Sequence, residues 1–276
     1  MTQAAAPQDR SYLLGTHDAE IERLGLQHRV WRPKVLEGWR RAGITVGSTV
    51  VDAGAGPGWA TLDLAEIVGP KGRVHAFERS ERFLAHLIGT AAQHGFDQVQ
   101  AANLDLVTAP LPAEGADAFW IRWVLAFVSE PETVLRKLAG TLRPGGVAVI
   151  HEYLDYSVWS YAPPRPALEA FRNFKIDDWR KSGGEPDIAR ELPRLLPRCG
   201  LKIREMRPMV EAVRPGDFFW QWPRAFLDLY PQHLVEEGKA DQAFVDRITE
   251  ELREAEADPE TVMITPLVLE VIAEKV

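Results

Sequence analysis

Between residues 49 and 153, short β-branched or aromatic runs alternate with stretches of helical periodicity, and this alternation limits what the chain can fold into. "TVVDAGAG", "RVHAFE", "VQAAN", "DAFWIRWV" and "GVAVIHEY" read as strands, each a short apolar run bounded by turn residues. Between them, "TLDLAEIV" stops at Gly69-Pro70, "SERFLAHLIGTAAQH" runs from a Ser80 cap to Gly95, and "PETVLRKLAGTL" opens on proline, which are all helix signals. The repetition predicts an α/β fold, a mostly parallel sheet with helices on both faces. In such sheets ligands lie at the carboxyl ends of the strands.

The first strand ends in "VVDAGAGPGW", which places Asp52, Gly54, Gly56 and Gly58 in a D-x-G-x-G-x-G turn before a helix. Glycine permits positive φ and close approach of a ligand to the main chain, and a helix N-terminus offers free N–H groups and partial positive charge. A glycine-rich turn alone is a weak signal, since the same residues serve a turn built for packing. The second strand strengthens it by ending at Glu78, 20 residues beyond Gly58, where a carboxylate can accept from both hydroxyls of a ribose. A nucleoside ligand is therefore expected. A dinucleotide loop reads G-x-G-x-x-G, but residues 54–59 read GAGPGW and put Trp59 in place of the last glycine. That disfavours a nicotinamide-dependent oxidoreductase, which stays as the alternative.

"VVDAGAGPGWATLDLAEIVGPKGRVHAFERS" resembles motif I and the acidic second strand of class I S-adenosylmethionine-dependent methyltransferases. "FWIRWVLAFVSEPETVLRKLAGTLRPGGVAVIHEY" is similar to their later motifs, and "YLLGTHDAEIERLGLQHRVWRP" looks like the lid helices of a bacterial small-molecule subgroup often labelled UbiE-like. The likeness covers residues 45–153 and is weaker on either side. It implies a Rossmann-like seven-stranded sheet, S-adenosyl-L-methionine as cofactor, and methyl transfer to an O, N or C atom of a small molecule, with a non-catalytic S-adenosylmethionine-binding protein as a further alternative. Carried over position by position, Gly54, Ala55, Gly56 and Gly58 would follow the methionine part and ribose, Glu78 with Arg79 beside it would hold the ribose, and Asp52 would support the loop and the ammonium end. Asp105 would meet the adenine amino group with Leu104 or Leu106 against the ring, Arg122 would line the methionine end, and Tyr12 and Gln27 would close over the cofactor from the lid. Each has a plainer reading beside it: Asp105 as a turn cap, Arg122 as a structural ion pair, Glu78 as a solvated strand-end acid.

Methyl transfer by in-line displacement needs a nucleophile close to the methyl carbon and a pocket that excludes water, and a hydroxyl or acidic-carbon acceptor benefits from a general base. "HEYLDY" at the end of the fifth strand supplies His151, Glu152, Tyr153, Asp155 and Tyr156. His151 is the candidate base, against the reading of a histidine satisfied by packing. The spacing is not a metal-ligand pattern, so no metal is expected.

The flanks are read as parts of the same single domain, 1–276. Residues 1–44 form a helical lid, with two helices and Pro33 in the first turn of the second. Residues 154–276 supply substrate-side helices and the last two strands, "GLKIREMRPMVEAVRPGD" and an antiparallel "TVMITPLVLEVIAEKV". Asp187 is expected to cap a helix, and "QAFVDRITEELREAEADPE" to be an acidic, solvated one. Trp159, Tyr161, Phe171, Phe174, Trp179 and the aromatics of "FFWQWPRAFLDLY" suit a planar or apolar acceptor. A net charge of −8 argues against nucleic acid as partner. The single cysteine, Cys199, permits no intramolecular disulfide; without a signal peptide or an apolar run of membrane length, a cytoplasmic location away from membranes is expected.

Overall fold

In the computed structural model, which describes residues 16–276, the two expected N-terminal helices are one, α1 (Asp18–Ala42). Pro33 lies inside it rather than at a start. An interior proline costs a helix about 3 kcal/mol. Here Ile21, Gly25, His28, Trp31, Val35, Gly38, Trp39 and Ala42 are buried at helical spacing on both sides of the proline, so one continuous packed stripe outweighs the local break. Tyr12 lies outside the described residues.

The sheet core follows the expected alternation: β1 (Thr49–Ala53), α2 (Trp59–Val68), β2 (Arg73–Glu78), α3 (Glu81–Gln93), β3 (Val99–Asn103), β4 (Ala116–Arg122), α4 (Pro131–Thr141) and β5 (Leu142–Asp155). Ser80 caps α3 by accepting from the Phe83 N–H at 3.3 Å. The rest of the chain adds β6 (Ser160–Ala162), α5 (Pro166–Lys181), α6 (Leu192–Arg198), β7 (Leu201–Met209), β8 (Ala212–Val213), α7 (Gln221–Glu236), α8 (Gln242–Ala257), β9 (Val262–Ile264) and β10 (Leu267–Lys275).

Seven strands form the main sheet in the order β3-β2-β1-β4-β5-β10-β7, with β1 to β5 parallel and β10 antiparallel to both of its neighbours. Strand order reverses between β1 and β4, which opens a crevice at their carboxyl ends. A second sheet, β6-β9-β8, was not expected. Its strands have two or three residues each, too short for a period-two pattern to stand out. Asp187 makes no helix cap: it accepts from the Tyr156 N–H at 2.7 Å and from Arg180 at 3.0 Å, tying the α5–α6 connection to the end of β5. Among the described residues no helix is long and apolar enough to cross a membrane.

Candidate active site

A cavity of about 540 Å³ lies over the carboxyl ends of β1, β2, β4 and β5, covered by α1, α5 and α7. One end is the loop after β1. Gly54, Gly56 and Gly58 all have positive φ, at +72°, +56° and +96°, yet they are glycine for different reasons. A Cβ on Gly54 would collide with Val124, and one on Gly58 would lie 2.6 Å from Leu87 Cγ, so both are demanded by packing. A Cβ on Gly56 would meet no protein atom within 4 Å, and Gly56 lines the cavity. Gly54 and Ala55 line it too, whereas Gly58 faces α3 and does not, which departs from the sequence expectation.

Two carboxylates brace this loop. Asp52, buried at the end of β1, accepts from the Thr61 hydroxyl at 2.6 Å; burial pushes its pKa up to about 6. Glu78, at the end of β2, accepts from the Gly56 N–H and the Ser80 N–H, each at 2.8 Å. Burial raises Glu78 despite these bonds. Each carboxylate oxygen has two acceptor sites, so Glu78 can take further donors from a ligand. Arg79, Leu104, Asp105 and Leu106 complete this wall. Asp105 also caps its turn, with Oδ1 accepting from Val107 N–H at 2.7 Å and Thr108 N–H at 3.0 Å.

Arg122, at the end of β4, has a specific buried setting. Its Nη2 donates to His28 Nδ1 at 3.1 Å, and since a guanidinium can only donate, His28 must carry its proton on Nε2, which bonds Asp63 at 3.0 Å. Burial lowers the His28 pKa in keeping with this neutral form. Asp63 also pairs with Arg32 at 2.8 Å, so the chain Arg122–His28–Asp63 fastens α1 to α2 above the cavity. Burial pulls the Arg122 pKa down to about 10, which leaves it charged at neutral pH, and Nη1 is buried with no partner among the described residues. Gln27, on the cavity-facing side of α1, accepts from Arg23 and from Trp222 Nε1, both at 3.2 Å.

The other end of the cavity is aromatic. Trp123, Tyr153 and Trp222 form a near-parallel cluster, with Trp123 5.4 Å from each of the other two ring centroids and Tyr153 6.3 Å from Trp222, and Tyr156, Trp159, Trp179 and Phe226 continue the wall. Trp123 holds φ +52°, an unusual value for a bulky residue and one that turns its ring back over the end of β5. Lys175 of α5 also lines this end. Sequence reading passed over Trp123, Trp222 as a partner to it, and Lys175. Nothing local marks a helical lysine as cavity-lining, because α5 reaches the site only through the tertiary fold.

His151 does not line the cavity. It is fully buried between Trp31 and Trp120, with Nε2 2.9 Å from Glu270 Oε2, and Glu270 is in turn bonded to Arg41. Burial lowers its pKa more than Glu270 raises it. The expectation of a base at 151 is corrected: Glu270 holds Nε2, Nδ1 is buried with no hydrogen-bond partner among the described residues, and the ring lies inside the fold rather than on the cavity wall. Glu152 is buried as well, its Oε1 accepting from the Val124 and Leu125 N–H groups at 2.8 and 2.7 Å. Among the described residues there is no cluster of three or more His, Cys, Asp or Glu that could hold a metal ion.

Residues 50–146 match the methyltransferase-domain family. Over 206 residues the chain is 24% identical to a demethylmenaquinone methyltransferase of Bacillus licheniformis, covering 71% of this chain and 87% of that one. The chain is an S-adenosylmethionine-dependent methyltransferase, similar to the class I, UbiE-like enzymes. A 2-phytyl-1,4-naphtoquinone methyltransferase of Synechococcus elongatus is 33% identical over 156 residues, 55% of this chain and 61% of that one. The geranyl diphosphate C-methyltransferase of Streptomyces coelicolor A3(2) shares the fold, with a TM-score of 0.56 at 16% identity over 90% of this chain and 80% of that chain. The methyltransferase's residues fit its methyl donor on two counts: the unpartnered Nη1 of Arg122 suits a carboxylate, and the loop keeps open space beside Gly56 where any side chain would intrude.

Proposed function

We infer that this methyltransferase acts on a planar aromatic small molecule, held in the chamber of Trp123, Tyr153, Tyr156, Trp179 and Trp222. The observation that carries the reading is the division of one cavity into a polar loop end and an aromatic end, with two relatives named for naphthoquinone-type acceptors in support. S-adenosylmethionine supplies an electrophilic methyl on a sulfonium, a good leaving group. In this reading Arg122 binds the carboxylate of its methionine part and Asp52 faces the ammonium side. The Gly54–Gly56 backbone lies along the chain, Glu78 with Arg79 holds the ribose, and Asp105 with Leu104 and Leu106 holds the adenine. Gln27 closes the site from α1. Aromatic faces orient a flat acceptor and keep water away from the transfer, so proximity and desolvation supply most of the rate. The whole chain acts as one methyltransferase domain with a helical cover, in the cytoplasm and without a nucleic-acid partner.

Calorimetric titration with S-adenosylhomocysteine, beside NADH and a Glu78→Ala variant, tests the cofactor side. Binding of S-adenosylhomocysteine alone, weakened at least about tenfold (1.4 kcal/mol) in the variant, is expected. Binding of NADH, or an unaffected variant, overturns the assignment. A panel of naphthols and hydroquinones set against aliphatic alcohols and amines, with transfer of radiolabelled methyl as readout, tests the acceptor class.

A further inference from the structure

The aromatic end of the cavity contains one amine, and a hydrogen-bonded path leads from it towards the surface. Lys175 lines the cavity but is only 3% exposed, so its Nζ is nearly out of water. Nζ donates to the Tyr230 hydroxyl at 2.7 Å, and that hydroxyl donates to Asp178 Oδ2 at 2.9 Å. Asp178 is half-buried and pairs through Oδ1 with Lys239 at 3.1 Å, whose side chain is 39% exposed. Lys175, Tyr230, Asp178 and Lys239 thus link the chamber to solvent without a gap.

Among the described residues no carboxylate bonds Nζ directly, since Asp178 is reached through Tyr230. The groups that set its charge are Asp178 on the same helix, Tyr230 on α7, and Glu237 and Lys239 in the turn that follows, while Arg23, Tyr153 and Tyr156 line the same cavity. Asp178 and Glu237 favour the ammonium; burial and Lys239 oppose it and prevail, bringing the pKa down to about 7. An ordinary lysine is a poor base at neutral pH because it is already protonated, whereas one brought near neutrality can accept a proton.

We propose that Lys175 is the base of the acceptor chamber, taking the proton of an acidic O–H such as a phenol's and passing it through Tyr230 and Asp178 to solvent. The proposal rests on the methyl-transfer reading above and narrows its acceptor to one carrying such a group. The acceptor's O–H bond breaks with its electron pair left on oxygen and its proton on the unprotonated Nζ. The phenolate oxygen then forms the bond to the methyl carbon as the C–S pair goes to sulfur. Recovery of the base moves an Nζ proton to Tyr230 Oη while the Tyr230 proton passes to Asp178 and on to water. No oxidant or reductant is needed.

The test uses the full chain saturated with S-adenosylhomocysteine. Lysine labelled with ¹⁵N at Nζ, with the Lys175 resonance identified by its loss in Lys175→Met, should titrate near neutrality, far below the other lysines. The chromogenic phenol 4-nitrophenol, added to the same complex, should show its phenolate absorption at least about one pH unit (tenfold) below its own pKa. Lys175→Met should abolish that shift while binding S-adenosylhomocysteine as the wild type does. Tyr230→Phe, which keeps the ring and removes only the relay hydroxyl, should leave the phenolate shift in place and slow proton release to a pH indicator. An Nζ still charged at about pH 9, or a bound phenol that titrates like the free one, overturns the proposal. Failure of the wild type to bind S-adenosylhomocysteine instead overturns the reading of the site as a whole.

Discussion

Gly56 and Gly58 stand two residues apart in one loop, and a methyl group added to each tests different physics. At Gly56, alanine must hold φ +56°, which costs an L-residue about 1–2 kcal/mol, but its Cβ meets no protein atom within 4 Å. A chain of this size then loses about 2–6 °C in Tm. At Gly58, alanine must hold φ +96° and also place Cβ 2.6 Å from Leu87 Cγ and 3.2 Å from the Leu87 backbone, which cannot move as a side chain can. Overpacking of this kind adds about 1–3 kcal/mol, so Gly58→Ala should cost about 2–5 kcal/mol in all. Affinity should run the opposite way. Gly56 lines the cavity and Gly58 does not, so S-adenosylhomocysteine should bind Gly56→Ala at least about tenfold more weakly, and folded Gly58→Ala within about threefold of wild type. Thermal melts followed by circular dichroism give the first ranking. Calorimetric titration, at a temperature where both variants are folded, gives the second. A Gly58→Ala variant that loses more affinity than Gly56→Ala would refute the division of the loop into a packing glycine and a ligand-facing one.

Two further substitutions follow from buried groups. Arg122→Met removes the unpartnered Nη1, and a charge-assisted hydrogen bond is worth about 1.5–3 kcal/mol, so S-adenosylhomocysteine should bind about 10- to 100-fold more weakly. Methylthioadenosine, which lacks the amino-acid end, should bind Arg122→Met and wild type alike, and equal losses for both ligands would refute the placement. Glu152 is raised to about 8, chiefly by burial, from an ordinary value of 4.5. The folded chain therefore keeps a proton that the unfolded chain releases, and stability falls as pH rises from about 4.5 to about 8. Glu152→Gln, with no charge to bury, should lack that slope, gaining up to about 4 kcal/mol on the wild type between about pH 5 and pH 9 in urea titrations; parallel pH profiles would refute it.

What the sequence revealed and what it hid divide along a physical line. β1, β2, β4, β5 and the helices between the strands are written in runs of adjacent residues, because a strand buried on both faces must be apolar throughout and a helix must announce its ends with caps. Asp52, Glu78 and Arg122 were legible for a related reason: each closes a strand, and strand ends are where an α/β sheet places its ligand. His151 misled because it shares the face of β5 that carries Tyr153 but lies two residues deeper, packed against Trp31 and Trp120, while Glu152 points to the opposite face. Only the pairing of β5 with β10 shows that Glu270 holds Nε2 of the histidine. The aromatic chamber is further still from local reading. Its walls come from β4, β5, α5 and α7, and a tryptophan at helical spacing looks the same in sequence whether it fills a core or faces a substrate. The half of the site proposed to hold the cofactor is built on contiguous motifs, and the half proposed to choose the acceptor is assembled from separate elements. In that reading, changes in α5 and α7 alter the acceptor while the loop and strand ends proposed for the methyl donor stay as they are.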